Sequence, residues 1–366
     1  VINSGAKILH RNIICVIFRE FFSNIMQVLG QELVKWYENH HRNLPWRHTK
    51  DPYQIWLSEV ILQQTRVDQG LPYFLKFVHT FPTVELLAKA TEQEVLSLWQ
   101  GLGYYSRGRN LHKTAQIIAH EYNGAFPNSY EGLLKLKGIG PYTAAAISSF
   151  AFDLPHAVVD GNVFRILSRY FGIDLAINSS AGKKTFEKIA GEVLNIKQPA
   201  LHNQAIMEFG ALQCKPVAPK CSECPLQLSC AAFAENKVHL LPVKEKKIKI
   251  RHRFFVYHVQ TDQENRLALE RRVAGDIWEG LFQFPMIELK SSEEQITYLQ
   301  SFATSWQSPK FKHVLTHQKI EAYFVLAPLR EKKEEKIHYS LQEISELPLP
   351  RLIDKFLEQH RKDLPI

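Results

Sequence analysis

The chain has 366 residues, more than a single hydrophobic core usually serves, so we expect two domains. Hydrophobic residues make up 45% and charged residues 22%, ordinary globular proportions that exclude a disordered or fibrous chain. A net charge of +8 favours an anionic partner, since Lys and Arg that neutralise phosphates release counterions. No apolar run reaches the roughly 18 residues of a membrane helix, so we expect no membrane association.

The chain begins with residues 1–25, a segment that is basic and poor in acids. We expect it to be an N-terminal extension without function, with Met26 as the true start. From Gln27 to Phe233, short amphipathic patterns alternate with Gly, Pro and Asn, which predicts a mostly α region.

A helix start is predicted at Asp51 and Pro52, because Asp caps helix N-termini and Pro suits the first helical position. Glu59 lies about two turns into this helix, in the run IWLSEVIL. Its apolar neighbours leave little room for a solvated carboxylate, although a partly exposed charge on a half-buried helix is the alternative. A buried carboxyl keeps its proton to higher pH, so Glu59 is a candidate general acid.

The segment LKLKGIGPYTAAA, residues 134–146, predicts a helix ending near Leu136 and another beginning after Gly140. Gly138 and Gly140 let backbone N–H groups approach a ligand closely, and a helix start of this kind suits a phosphate. An ordinary turn between two helices is the alternative. The whole segment resembles a helix-hairpin-helix element, which strengthens the prediction of a DNA contact.

A second acid, Asp160, stands in the run VVDGNV before a predicted helix from Asn162 to Phe171. Its simpler interpretation is a helix N-cap. Cleavage of a glycosidic bond, however, uses two carboxyl groups in different environments. Glu59 and Asp160 therefore form a candidate catalytic pair, with Glu59 as proton donor and Asp160 as the negative charge or transient nucleophile beside the sugar.

Four of the five cysteines are clustered, which indicates a metal site rather than a disulfide scaffold. Four thiolates suit either an iron–sulfur cluster or a structural zinc. The spacing resembles the cluster loop of the endonuclease III superfamily, and that resemblance implies a [4Fe-4S] cluster. Lys215 and Lys220, which lie between the first two cysteines of this cluster, could reach phosphates. The predicted ligands are Cys214, Cys221, Cys224 and Cys230.

The composition becomes Lys-rich between residues 236 and 252, where we place a linker. The runs FFVYHV and LALERR that follow predict strands, and two helical stretches close the chain. We therefore predict an α+β C-terminal domain over residues 253–366 and a mostly α domain over residues 26–235.

Further runs carry a resemblance over most of the chain: LPWR (44–47), WLSEVILQQTRV (56–67), GLGYYSR (101–107) and HNQAIMEFG (202–210). Together with the hairpin, Asp160 and the cysteines, they resemble MutY-type adenine DNA glycosylases. The resemblance implies a helix-hairpin-helix glycosylase fold with an iron–sulfur cluster loop, followed by a Nudix-like α+β domain. It also implies catalytic roles for Glu59, Asp160, Tyr142 and Asn162.

The same resemblance implies how the substrate is held. Trp46, Arg47 and Gln204 are expected at the adenine pocket, while Gln64 and Tyr104 fill or wedge the duplex beside the extruded base, with Leu62 nearby. The implied DNA-binding residues are Trp46, Arg47, Leu62, Gln64, Tyr104, Gly138, Gly140, Gln204, Thr316 and His317.

The C-terminal third resembles the family's Nudix-like domain through WEGLFQFP, residues 278–285. It lacks the acidic box that holds magnesium for pyrophosphate hydrolysis, so we expect recognition there. His313, Thr316 and His317 in FKHVLTHQK resemble the loop that reads oxidised guanine. For His313, a histidine that simply faces solvent is the alternative.

The predicted function is a monofunctional adenine DNA glycosylase of base excision repair, acting on double-stranded DNA with adenine opposite 8-oxoguanine or guanine. Tyr142 stands where related lyases carry a Schiff-base lysine, which disfavours a bifunctional glycosylase–lyase. The degenerate acidic box disfavours a Nudix pyrophosphohydrolase, and the two acids disfavour a non-enzymatic DNA-binding scaffold. We expect a monomer in the cytoplasm, associated with the nucleoid if the source is bacterial.

Overall fold

The computed structural model describes residues 25–245, 250–327 and 337–364. The predicted N-terminal extension lies outside these residues except for its last position, as does part of the predicted linker. The chain forms two compact units: unit 1 contains Val1–Gln63 and His120–Lys246, and unit 2 contains Gln64–Ala119 and Lys247–Ile366. No helix in the described ranges is long and apolar enough to cross a bilayer.

Unit 1 is helical in its described residues, as predicted. Helix α1 covers residues 25–40, and a 3₁₀ turn at Pro45–Arg47 follows it. The remaining helices of this unit are α2 (Pro52–Ile61), α7 (Tyr130–Leu134), α8 (Pro141–Phe152), α9 (Gly161–Phe171), α10 (Ser180–Val193), α11 (Pro199–Leu212) and α12 (Ala231–Ala234).

The predicted helix starts of unit 1 are confirmed. The Asp51 carboxylate accepts a hydrogen bond from the Tyr53 amide, and Pro52 is the first residue of α2. Gly140 is the N-cap of α8, with Pro141 as its first residue. Helix α8 packs on both α2 and α11, and α11 packs on α9. Trp56 on α2 and Phe209 on α11 are each 1% exposed. This packing fixes α2, which carries Glu59, and α9, whose N-cap is Asp160.

Unit 2 begins with four helices and continues with strands. The helices are α3 (Val67–Thr80), α4 (Val84–Lys89), α5 (Glu92–Trp99) and α6 (Ser106–Glu121), the last of which runs past the border of the unit. The strands are β1 (Arg251–Val259), β2 (Leu267–Arg271), β3 (Phe282–Gln283), β4 (Met286–Leu289), β5 (Phe311–Val314), β6 (Gln318–Leu326) and β7 (Ile337–Tyr339). Helices α13 (Ser292–Gln300), α14 (Leu341–Glu346) and α15 (Arg351–His360) complete it.

The described strands form two sheets, in the orders β4-β1-β6-β5 and β3-β2-β7. Strand β1 runs parallel to β6 and antiparallel to β4, while β5 and β6 form an antiparallel pair. An aromatic core packs beneath them, in which the rings of Phe324 and Phe356 stack 3.8 Å apart. The predicted α+β character of the C-terminal third is confirmed.

The units do not follow the predicted domain borders, because residues 64–119 group with the C-terminal region. The Gln100 amide donates to both Asp354 carboxylate oxygens at 2.9 Å, and the Ser97 hydroxyl donates to the Glu346 carbonyl at 2.8 Å. These partners lie about 250 positions apart, so no local sequence pattern reports them. Compact packing therefore divides the chain differently from the predicted domain borders, which stay a prediction.

Candidate active site

Glu59 lies on α2 with its side chain turned into unit 1, and it is 7% exposed. The Tyr142 hydroxyl, from the first turn of α8, donates to its carboxylate at 2.5 Å. The pKa of Glu59 is raised to about 7, chiefly by burial; the Tyr142 hydrogen bond lowers it, the Asp160 charge raises it and the Arg47 charge lowers it. The predicted buried carboxyl is thus present, and it holds its proton near neutral pH.

Asp160 is the N-cap of α9, and its carboxylate accepts hydrogen bonds from the amides of Asn162 and Val163 at 2.9 and 2.8 Å. The Asn162 side chain donates to its other oxygen at 2.7 Å. Burial raises the pKa of Asp160, whereas these three hydrogen bonds and the Arg165 charge lower it. The helix-cap interpretation is therefore confirmed, while the catalytic role of Asp160 stays a prediction; the cap hydrogen bonds favour the ionised form, but burial outweighs them and leaves the pKa above its usual value.

The two acids consequently have different environments. Asp160 accepts three hydrogen bonds from its own helix start, whereas Glu59 accepts one from Tyr142. Burial raises the pKa of the Tyr142 phenol well above its usual value, and the charges of the neighbouring Glu59 and Asp160 carboxylates raise it further. This arrangement can deliver a proton from one carboxyl and stabilise a cation with the other.

The predicted pocket residues Trp46, Arg47 and Gln204 also belong to unit 1, with Trp46 buried and the other two half-buried. Arg47 lies close enough to Glu59 for its charge to lower the pKa of that acid. Gln204 lies on α11, where its amide oxygen accepts a hydrogen bond from the Tyr37 hydroxyl at 2.8 Å. The structure therefore places the pocket residues and the two acids in one unit.

Sequence reasoning missed a buried acid beside this pocket. Glu208, 1% exposed on α11, accepts hydrogen bonds from both Arg42 and Arg47. The signal was an acid inside the apolar run AIMEFG, the pattern that identified Glu59. Its partners lie more than 160 positions away, which is why the interaction stayed hidden.

The hairpin glycines stand at the exposed turn between α7 and α8. Gly138 has a φ of +79°, a conformation that favours glycine, and Gly140 caps α8 without a side chain in the way. Leu62 is the half-buried C-cap of α2. Gln64, which follows in unit 2, has an exposed side chain and a φ of +57°.

Unit 2 brings two other predicted residues together. The Tyr104 hydroxyl, in the loop before α6, forms a short hydrogen bond with the Thr316 hydroxyl. Thr316 and His317 are exposed in the β5–β6 hairpin, and Tyr104 is 47% exposed with a φ of +47°. His313 does not simply face solvent, because it lies on β5 with its ring 5.4 Å from that of Trp278.

All four clustered cysteines line one cavity in unit 1, with Arg169 beside them. An Arg169 Nη1 donates to the Cys214 Sγ at 3.4 Å. In the described parts of the chain, no group of three or more His, Cys, Asp or Glu is placed to hold a single metal ion. Four cysteine sulfurs around one cavity are ligands that both a structural zinc and an iron–sulfur cluster use, so the choice between the two metals stays a prediction.

The cysteine cavity connects to Asp160 through α9. The Arg165 guanidinium donates to the Cys214 carbonyl at 2.6 Å and to the Asn162 side-chain oxygen at 2.8 Å. Asn162 in turn donates to Asp160. Loss of order in the cysteine loop therefore removes a partner from the group that supports Asp160.

Comparison with protein families agrees with these features. Residues 57–192 match the HhH-GPD superfamily of base excision DNA repair proteins, and residues 255–359 match the NUDIX domain. The chain is similar to a thermostable thymine-DNA glycosylase structure (28% identity, TM-score 0.54, covering 57% of this chain and 97% of that one). A trapped endonuclease III–DNA covalent intermediate, 22% identical with a TM-score of 0.51 over 58% of this chain and 98% of that one, shares the fold.

Curated relatives match most of the chain, including both family-model regions. The adenine DNA glycosylase of Buchnera aphidicola subsp. Acyrthosiphon pisum is 33% identical, over 92% of this chain and 99% of the relative. That of Buchnera aphidicola subsp. Baizongia pistaciae is 37% identical, over 79% of this chain and 83% of the relative. The human adenine DNA glycosylase is 40% identical over 55% of this chain and 38% of its own length. The chain belongs to the adenine DNA glycosylase family and is a DNA glycosylase.

Proposed function

We propose that this glycosylase removes adenine opposite 8-oxoguanine or guanine in double-stranded DNA. The observation that carries the mechanism is the pair of acids in unit 1, one protonated near neutral pH and one held by three hydrogen bonds. Chemistry on a base inside a duplex first requires the nucleotide to flip out. The hairpin glycines and the lysines Lys215 and Lys220 are proposed to hold the DNA backbone while it does so.

Glu59 is proposed to protonate N7 of the flipped adenine. Protonation draws electrons into the ring, so that the bond between the sugar C1′ and the base N9 breaks with its electron pair leaving on the adenine. The proton donor must be neutral before the step and ionised after it, which suits an acid whose pKa is about 7. The Tyr142 hydroxyl is placed to stabilise the carboxylate that remains.

Asp160 is proposed to stabilise the oxocarbenium character of the sugar, through its charge or through a transient covalent bond. Water then adds at C1′ and gives up a proton to the Glu59 carboxylate, which restores the acid, and the product is an abasic site. Tyr142 offers no amine for a Schiff base, which supports a monofunctional hydrolysis rather than strand cleavage. Asn162 orients Asp160 and favours its ionised form through the hydrogen bond it donates, against the opposing effect of burial.

Recognition of the opposite base is proposed for unit 2. Thr316 and His317 are exposed in a hairpin, and the Thr316 hydroxyl already pairs with the predicted wedge residue Tyr104. 8-Oxoguanine differs from guanine by one added oxygen and one added N–H. The paired hydroxyls of Tyr104 and Thr316 are suited to hydrogen bonds with such an edge. We retain residues 26–235 and 253–366 as the two functional domains, and we propose that the protein acts as a monomer on chromosomal DNA.

The four cysteines are proposed to hold a [4Fe-4S] cluster, which when bound supplies a covalent tie across the loop from Cys214 to Cys230. All four cysteine sulfurs line one cavity, and Arg169 donates to one of them. Iron analysis of purified protein should find about four irons per chain. A colourless, fully active protein containing one zinc would refute this assignment.

One incubation tests the activity and separates it from the alternatives. A duplex with a single adenine opposite 8-oxoguanine is incubated with the protein, and half of each sample is then heated in alkali. Breaks that appear only after alkali identify a monofunctional glycosylase. Breaks without alkali indicate a lyase, and an absence of breaks in both halves contradicts the proposal.

A further inference from the structure

One acid beside the adenine pocket has no part in the chemistry above. The Glu208 carboxylate is buried in unit 1 and accepts five hydrogen bonds from two arginines. Its Oε1 accepts from the Arg42 amide at 2.8 Å, from Arg42 Nε at 2.9 Å and from Arg47 Nη1 at 3.1 Å. Its Oε2 accepts from the Nη2 atoms of Arg42 and Arg47, each at 2.6 Å.

This arrangement leaves Arg47 little freedom. Its guanidinium also donates to the Arg42 carbonyl at 2.8 Å and lies 5.6 Å from the centre of the Tyr37 ring. The Arg47 side chain is 11% exposed, whereas that of Arg42 is 35% exposed. The more buried arginine therefore depends more strongly on the carboxylate for its position.

The same helix face holds a second pocket residue. Gln204 and Glu208 are four positions apart on α11, so their side chains lie on one side of the helix. The Tyr37 hydroxyl donates to the Gln204 amide oxygen at 2.8 Å, which leaves the Gln204 NH₂ group available to an acceptor. Both pocket side chains are thus fixed before any base arrives.

We propose that Glu208 is a positioning residue that holds Arg47 in the orientation needed by the adenine pocket and by Glu59. The proposal rests on the function proposed above for Arg47. The contact between Arg47 and Glu208 is buried and bidentate, whereas a surface ion pair is exposed to solvent and contributes little. Glu208 itself does not touch the reacting atoms.

The charges around Glu59 give the proposal a signed test. Glu59 is faced by Tyr142 from α8, by Asp160 at the start of α9 and by Arg47 from the 3₁₀ turn. Arg47 lowers the pKa of Glu59, so displacement of Arg47 raises that pKa. Simple removal of the negative charge of Glu208, with Arg47 still in place, acts in the opposite direction.

The experiment compares Glu208→Gln with Arg47→Met in single-turnover excision between pH 5 and 9. The positioning role predicts that both variants move the alkaline decline of the rate to higher pH, and that the double variant moves it no further than Arg47→Met alone. Each variant should also slow excision by up to about 100-fold, because small displacements of positioned groups have effects of that size.

Glu288→Gln is the matched control. Glu288 in unit 2 is a carboxylate hydrogen-bonded to the buried Arg253, and no role in the proposed chemistry is assigned to it. This variant should leave the pH profile unchanged. Absorbance of the cluster and thermal unfolding of each protein establish that the folds are equivalent.

Suppose that Arg47→Met moves the alkaline decline of the excision rate to higher pH. The positioning role is then overturned if Glu208→Gln moves that decline to lower pH or leaves it where it is. If Arg47→Met changes neither rate nor profile, the pocket assignment itself fails and the inference falls with it. Should Glu208→Gln not fold, Glu208→Asp is measured instead. Glu208→Asp keeps the negative charge but shortens the side chain by one methylene. If the rate then declines at a higher pH, Arg47 has again been displaced.

Discussion

The acids in unit 1 and the hydroxyl pair in unit 2 are built in opposite ways. Glu59 is 7% exposed and Glu208 is 1% exposed, and both are fixed by partners from distant parts of the chain. Tyr104 and Thr316 are exposed and bonded mainly to one another. Burial changes proton affinity, which catalysis needs, whereas exposure leaves hydrogen-bonding groups available to a base. The difference predicts that substitutions in unit 1 change the rate on every substrate and that substitutions in unit 2 change the choice among substrates.

The largest expected effect comes from Glu59→Gln. The amide keeps the shape of the side chain but cannot deliver a proton, so excision should fall by roughly 100- to 10,000-fold. Binding to the duplex should stay largely intact, as measured by gel shift. Asp160→Asn should cause a comparable loss through the missing negative charge. Near-normal single-turnover excision by Glu59→Gln removes this acid from the mechanism.

The next effect depends on close packing behind Asp160. A β-carbon at Gly210 on α11 would lie 2.6 Å from the Cβ of Asn162, so Gly210→Ala must displace the start of α9. A shift of this kind should slow excision by about 10- to 100-fold, as seen in single-turnover rates.

Gly191→Ala on α10 is the control for that variant, since a β-carbon there meets nothing within 4 Å. This change should leave excision unaltered and raise stability slightly, by about 0.5–1 kcal/mol, because Ala favours a helix more than Gly does. Equal rates for the two alanine variants contradict the proposed support of Asp160.

A smaller effect is expected in unit 2, from the combined change of Thr316 and His317 to alanine. Polar contacts to one base are worth about 1–3 kcal/mol of discrimination, so the ratio of rates opposite 8-oxoguanine and guanine should fall by about 5- to 100-fold. Iron content should not change. Tyr104→Phe, which removes the partner hydroxyl of Thr316, should reproduce part of the loss.

The last prediction concerns how the free energy of unfolding depends on pH. Because the pKa of Glu59 in the folded chain is raised from 4.5 to about 7, its contribution to stability is fully present below pH 4.5 and is lost as pH rises through 7. The loss amounts to about 3 kcal/mol for this buried group. Glu59→Gln should therefore raise the Tm relative to the parent at pH 8 more than at pH 5. An equal difference at both values shows that Glu59 titrates normally.

Local chemistry explains what could be predicted from sequence. Asp51, Pro52 and Gly140 specify their helix starts through capping and backbone geometry, and the apolar run around Glu59 indicated its burial. Glu208 carried the same signal, but its meaning depends on Arg47, which only the fold brings near. Contacts across such distances are decided by helix packing, and no local pattern records them.

The grouping of α3 to α6 with the C-terminal region could not be predicted for the same reason. This grouping affects any test that removes the C-terminal region. Truncation after Glu235 removes the partners of Gln100 and Ser97, and it also removes the Arg271 side chain that bonds to Glu92. A truncated chain therefore lacks the contacts that support residues 64–119, and it also lacks Thr316 and His317. Point substitutions in the full chain separate the two effects.

The most direct test measures single-turnover excision at saturating enzyme on two duplexes, with adenine opposite 8-oxoguanine and opposite guanine. Wild type, Glu59→Gln and the Thr316 and His317 double alanine variant are compared. Glu59→Gln should lose activity on both duplexes by the same factor, and the double variant should keep its rate opposite guanine while losing its advantage opposite 8-oxoguanine. If the double variant retains the full preference, or if Glu59→Gln alters the ratio, the division of catalysis and recognition between the two units is wrong.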